Sequence, residues 1–206
     1  MPCQTNRVYF GDFIFNIYEN VYEPAEDSFL FADNLDAKEG ERVLDVGTGC
    51  GVLGILTAKK AEVVVAVELN PYAIRCAREN AALNGLSSKI DFIQASLFTA
   101  LNPQVTFDLI LFNAPYLPSL QSEGASWIER SWAGGPDGRE VIDFFISEVS
   151  LYLKPCGRVL LMQSTLTDVE ATIRKFGEQG LKAVVRAERK LPFFEILTLI
   201  EAKADV

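Results

Sequence analysis

Short apolar runs rich in β-branched and aromatic residues recur along the chain, and helical patterns separate most of them. The runs are Val43–Val46, Val63–Val67, Ile90–Ile93, Phe107–Phe112, Arg158–Met162, Ala183–Val185 and Ile196–Ile200. Each is too short for a helix and bounded by turn residues, which reads as a strand. The helical patterns are Pro24–Leu35, Gly51–Lys60, Pro71–Asn84, Arg139–Leu153 and Leu166–Glu178. Asn70-Pro71 sets a cap before a first-turn proline, Asn84-Gly85 is a helix stop, and Lys154-Pro155-Cys156-Gly157 reads as another stop before a buried strand. Strand alternating with helix predicts an α/β fold, a doubly wound parallel sheet with helices on both faces. A strand pair or extended arm over Val8–Ile17 precedes it.

With 206 residues, 49% of them hydrophobic, the chain has material for one sizeable core, so a single domain over residues 1–206 is expected, with 1–40 an N-terminal strand and helix extension to a core over 41–206. No apolar run approaches the ~20 residues of a membrane helix and the opening segment lacks a signal-peptide pattern, so a soluble cytoplasmic protein is expected. The chain contains no histidine, which excludes Ser-His-Asp and Cys-His catalysis and any histidine-bearing metal site. Cys3, Cys50, Cys76 and Cys156 never fall in a Cys-x-x-Cys spacing, so reduced thiols and no metal are expected. A net charge of −9 opposes the phosphate-driven binding of nucleic acids. Much of it lies between Glu19 and Glu41, read as a solvated helix face and loop. The half-polar interval from Pro115 to Gly138 reads as a functional loop.

Three features point to chemistry. After the first core strand comes Gly47-Thr48-Gly49-Cys50-Gly51, opening into the apolar helix of Val52-Leu53-Gly54-Ile55. Glycines at such a corner let a ligand touch the backbone, and the spacing differs from the Gly-x-Gly-x-x-Gly of dinucleotide enzymes. The next strand ends at Glu68, where a carboxylate suits two vicinal ribose hydroxyls. The fourth ends in Asn113-Ala114-Pro115-Tyr116. The glycine corner, Glu68, Ser96 and Asn113 all follow carboxyl ends of strands, where doubly wound sheets gather ligands.

The run Val-Leu-Asp-Val-Gly-Thr-Gly-Cys-Gly followed by Val-Glu-Leu-Asn-Pro resembles the cofactor motifs of class I S-adenosylmethionine-dependent methyltransferases. That resemblance implies a Rossmann-like sheet of seven strands, mostly parallel with one antiparallel. It also implies S-adenosylmethionine as cofactor and S-adenosylhomocysteine as product. Asp45, Gly47, Thr48, Gly49 and Gly51 would line the methionine and ribose side, with Glu68 and Leu69 at the ribose, Ser96 and Leu97 at the adenine, and Asn113 also touching the cofactor. Asn113, Ala114, Pro115 and Tyr116 resemble the Asn-Pro-Pro-Tyr motif of enzymes that methylate planar nitrogens. Ala114 departs from that motif's first proline, keeping its carbonyl but losing some rigidity.

Two more segments, Val21-Tyr22-Glu23-Pro24-Ala25-Glu26-Asp27-Ser28-Phe29-Leu30 and Trp132-Ala133-Gly134-Gly135-Pro136-Asp137-Gly138-Arg139-Glu140, resemble the HemK/PrmC group, most closely its archaeal and eukaryotic branch. The branch methylates the glutamine of the Gly-Gly-Gln loop of class I translation release factors. By this resemblance Tyr22, Glu26 and Asp27 are candidate cofactor contacts, and Trp132 with its glycines a mobile substrate-side loop. The branch works with a small zinc-binding activator, and the strand Ile90–Ile93, an exposed edge in the class I strand order 3-2-1-4-5-7-6, would pair with it. Methylation of lysine, or of an adenine-type amine in RNA or DNA, stays open as an alternative, as do a non-catalytic cofactor-binding scaffold and, less well fitted, a nicotinamide enzyme.

Overall fold

The strands whose two faces are both covered are those whose sequence is a continuous apolar run, and they form the centre of the sheet. The computed structural model describes residues 4–119 and 126–204, so Cys3 and residues 120–125 of the expected functional loop lie outside it. The fold is α/β, with a seven-stranded, mostly parallel sheet and a separate two-stranded sheet. The chain divides into two compact units, Met1–Leu101 and Asn102–Val206.

In the first unit, β1 (Gln4–Phe10) and β2 (Phe13–Tyr18) form an antiparallel hairpin, followed by helix α1 (Glu26–Asp33). Strand β3 (Arg42–Val46) leads to α2 (Val52–Ala58), β4 (Val63–Glu68), α3 (Pro71–Leu83) and β5 (Ile90–Gln94). The sheet order here is β5-β4-β3, all parallel, as expected, with β5 at the edge. Val43, Leu44 and Val46 are fully buried, the pattern of a parallel strand covered on both sides. The Asn70 side chain caps α3 by accepting the Tyr72 N–H at 2.9 Å, with Pro71 in the first turn.

The hairpin is tied to α3 by two asparagines that imitate a neighbouring strand. Asn80 accepts the Asn16 N–H at 2.9 Å and donates to the Asn16 carbonyl at 3.1 Å. Asn84 repeats this one turn later with Ile14, at 3.0 and 2.8 Å. The backbone edge of β2 is thereby paired without another strand.

The second unit contains β6 (Phe107–Asn113), α4 (Trp127–Trp132), α5 (Glu140–Val149), β7 (Leu153–Ser164), α6 (Val169–Glu178), β8 (Leu181–Lys190) and β9 (Ile196–Ala204). Its order is β6-β7-β9-β8, with β6 and β7 parallel and β9 antiparallel to both neighbours. Phe145 of α5 stacks on Phe112 of β6, ring centroids 4.4 Å apart. The expected helix over Arg139–Leu153 ends as an α-helix at Val149 and tightens into a 3₁₀ turn at Ser150–Tyr152. Lys154-Pro155-Cys156-Gly157 lies inside β7: Leu153 already pairs with Phe107, and the register shifts before Arg158 meets Leu109. The segment is a bulge with Cys156 at φ 62°, so tertiary pairing overrides a local pattern that reads as a stop.

Candidate active site

In the first unit the corner after β3 is held from behind by one carboxylate and from the side by another. Asp45 is 1% exposed. Its Oδ2 accepts the Thr48 hydroxyl at 2.5 Å and the Gly54 N–H at 2.9 Å. Gly54 lies so flush against it that a Cβ there would sit 2.8 Å from Oδ2. Oδ1 is buried with no hydrogen-bond partner among the described residues. Burial pushes the Asp45 carboxyl up to about 7, against the pull of its two donors, and the neighbouring Glu68 adds to the rise. The Gly47 and Thr48 N–H groups both donate to the Val67 carbonyl, at 2.8 and 3.1 Å, fastening the corner to β4.

Glu68 ends β4 with its carboxylate aimed at the corner. It accepts the Gly49 N–H at 3.0 Å and the Asn70 N–H at 2.8 Å. Burial raises its pKa, and these backbone donors oppose the rise. Leu69 beside it is exposed. Ser96, also exposed, follows β5, and its carbonyl accepts the N–H and hydroxyl of Thr99. Leu97 has a left-handed φ of 45°. Gly47, Glu68 and Ser96 thus follow the carboxyl ends of three adjacent parallel strands. The Tyr22 hydroxyl donates to the Asp27 carboxylate at 3.0 Å, and Asp27 also accepts the Ser28 N–H at 2.6 Å. The structure brings Tyr22 and Asp27 together at the start of α1 and leaves Glu26 exposed.

In the second unit Asn113 closes β6 opposite Met162 of β7, and the Ala114 N–H donates to the Met162 carbonyl at 3.3 Å. Ala114 is buried, whereas Asn113, Pro115 and Tyr116 are partly exposed. The next residues run beside Trp132–Gly135: Leu117 N–H donates to the Trp132 carbonyl, Gly134 N–H to Leu117, and Ser119 N–H to Gly135, all at 2.8–2.9 Å.

The glycines of this second segment, expected in a mobile loop, are buried as a backing layer. A Cβ on Gly134 would lie 2.6 Å from the Pro115 carbonyl oxygen, and one on Gly138 would lie 2.4 Å from that of Tyr116. Only glycine permits backbones to pack this closely. Arg139, whose positioning role the sequence reading missed, clamps the layer in place. It is 8% exposed and donates to the carbonyls of Thr167 and Asp168, to the Thr172 hydroxyl at 3.1 Å and to Asp143 at 2.7 Å. Helix α4 was also missed, although Ser126-x-x-Glu129 spells its capping box.

Comparison with known proteins agrees with these motifs. Residues 23–129 match the methyltransferase small domain family. A protein of Methanocaldococcus jannaschii named as an N5-glutamine methyltransferase is 43% identical over 89% of this chain and 92% of its own length. The human methyltransferase HEMK2 is 33% identical over 84% of this chain and 85% of its own. Among solved structures, the E. cuniculi Mtq2–Trm112 complex, described as responsible for methylation of the translation termination factor eRF1, superposes with a TM-score of 0.71 at 25% identity, covering 91% of this chain and all of that one.

Proposed function

The chain belongs to the methyltransferase small domain family, and from that membership we propose that it methylates the side-chain amide nitrogen of the glutamine in the Gly-Gly-Gln loop of a class I translation release factor. The observation that supports this most is the Asn113–Tyr116 segment, held at the end of β6 by a buried glycine layer. Kinship with proteins named for glutamine methylation supports the choice of amide. S-adenosylmethionine is the methyl donor. The donor set of the first unit fits it: each Glu68 oxygen keeps acceptor capacity for a ribose hydroxyl beyond its backbone partner.

Bound S-adenosylmethionine supplies an electrophilic methyl group on a sulfonium. The amide is a weak nucleophile because its lone pair is delocalised into the carbonyl. Asn113 accepts one amide N–H through its side-chain oxygen, the Ala114 carbonyl accepts the other, and Tyr116 packs against the planar group. The nitrogen then gains the methyl and releases one proton to water, leaving S-adenosylhomocysteine. Orientation supplies most of the acceleration, so no histidine is needed. Pro115 holds Ala114 extended, and the bond to Met162 adds restraint at the position where the motif elsewhere has proline.

A small zinc-binding activator pairing along β5 belongs to the same reading. Among the described residues β5 is hydrogen-bonded to a strand on one side only, and the Mtq2–Trm112 complex is a two-protein assembly. Among the described residues no helix is long and apolar enough to cross a membrane, and a cytoplasmic location suits a translation factor as substrate.

The test is incubation with S-adenosylmethionine and a release factor, with and without such an activator, followed by peptide mass spectrometry. We expect the methyl group on the Gly-Gly-Gln glutamine. Asn113→Ala should abolish transfer while lowering the affinity for S-adenosylhomocysteine only slightly, since the cofactor's other contacts remain. A methyl group on another residue, or undiminished transfer by Asn113→Ala, refutes the assignment.

A further inference from the structure

The loop joining β8 to β9 is built against its own solvent. Phe193 and Phe194 are 97% and 100% exposed, and both have left-handed backbones, φ 63° and 68°. The loop is closed at its base by the Leu191 N–H donating to the Glu195 carbonyl at 2.8 Å. Glycine or asparagine adopts that geometry readily, whereas two phenylalanines pay backbone strain and leave two large apolar faces in water. Among the described residues nothing covers either side chain.

Their place in the second unit indicates what covers them. β8 runs parallel to β7, since both are antiparallel to β9, and β7 is parallel to β6. The loop after β8 therefore leaves the sheet at the same edge as Asn113. It is also fastened to the support of that site. The Ile196 N–H donates to the Thr165 hydroxyl at 3.0 Å, and the Thr165–Thr167 turn carries another exposed apolar residue, Leu166. Thr167 in turn packs its methyl where a Cβ on Gly138 would fall, directly behind Tyr116. Leu166, Phe193 and Phe194 are thus exposed apolar residues carried on two segments that are bonded to each other, one of which packs against the tetrapeptide's support.

We infer that Phe193 and Phe194, with Leu166, dock an apolar patch on the body of the protein substrate beside its acceptor loop. The inference rests on the proposed function and adds to it a second point of recognition, away from the amide. A short loop offers few contacts to read, and an anchor on the same sheet edge lets the folded substrate be selected by its surface. The left-handed backbone holds both rings outward, so little ordering remains to be done on binding.

The experiment is steady-state methyl transfer to an intact release factor by the wild-type protein and by Phe193→Gly/Phe194→Gly. Glycine suits the left-handed backbone, and an unchanged affinity for S-adenosylhomocysteine checks that the fold is kept. We expect KM for the factor to rise about 10- to 100-fold with kcat retained at saturation, as for loss of aromatic interface anchors. An unchanged KM overturns the inference while leaving the proposed function standing. So does a fall in kcat alone, a lost complex with the activator, or a changed oligomeric state with normal kinetics. Absence of transfer by the wild-type protein overturns the proposed function itself, and the inference with it.

Discussion

Gly138→Ala tests whether the buried glycine layer sets the position of the reacting segment. The new Cβ would lie 2.4 Å from the Tyr116 carbonyl oxygen and 2.4 Å from the Thr167 methyl, where ordinary contact begins at 3.4 Å. About 1 Å must be found on two sides at once, and one of them is backbone. The residue must also hold φ near 75°, at about 1–2 kcal/mol for a side chain with a Cβ. Overpacking adds about 1–3 kcal/mol. The sum corresponds to a fall in melting temperature on the order of 10 °C for a chain of this length. If the layer positions Pro115 and Tyr116, a displacement of about 1 Å lowers kcat roughly 100-fold, while cofactor affinity stays normal. Thr167→Ser in the same background removes the methyl on one side and keeps the hydroxyl that donates to Ser164, so it should restore part of the rate. A variant that melts early yet turns over within about threefold of wild type would refute the positioning role.

Two further predictions concern the first unit. Glu68→Gln replaces one carboxylate oxygen with an amide that opposes the Gly49 or Asn70 N–H, and should weaken S-adenosylhomocysteine binding at least about tenfold by calorimetry; unaltered affinity would remove Glu68 from the cofactor site. Asp45, with its pKa raised to about 7, keeps its proton in the folded chain between about pH 4 and pH 7 while the unfolded chain loses it. Its stabilising contribution is therefore full below about pH 4, lost as pH rises to about 7, and flat above. The loss is at most about 4 kcal/mol. Urea unfolding at about pH 5 and pH 8 should show wild type losing stability relative to Asp45→Asn, and an identical pH response of the two proteins would contradict the shift.

The parts of the fold legible in the sequence are those where local pattern and tertiary demand coincide. β3 and β6 are buried on both faces for most of their length and β4 is at most half-exposed on one, so their apolar runs declare them. β8 read as only Ala183–Val185, because Arg186–Lys190 is charged; its full length comes from pairing with β9 from Leu181↔Ala204 to Lys190↔Ile196. For a similar reason the apolar run marks β7 only from Arg158, the residues before it being a bulge that looks like a helix stop. In the candidate site, glycines, acids and the Asn-Ala-Pro-Tyr segment could be read from spacing. What spacing could not show is which backbone each glycine faces. Nothing local to Gly138 announces the Tyr116 carbonyl twenty-two residues earlier, and nothing local to Arg139 announces the carbonyls of Thr167 and Asp168.

Chemistry without a histidine puts the whole burden on where groups are held, and both units meet it with backbone fixed before any ligand arrives. In the first, the corner's N–H groups end on Val67 and Glu68, and Thr48 ends on Asp45. In the second, Leu117 and Ser119 donate to the Trp132 and Gly135 carbonyls, Gly134 donates back to Leu117, and Arg139 ties this layer to the turn before α6. The ordering entropy of these loops is met at folding, so little of it is left to oppose binding or reaction. It follows that substitutions in the supports, which touch neither cofactor nor amide, should lower kcat as severely as many that do. For the same reason the proposed anchor of Phe193 and Phe194 should act on KM, since these exposed side chains hold none of the reacting groups in place.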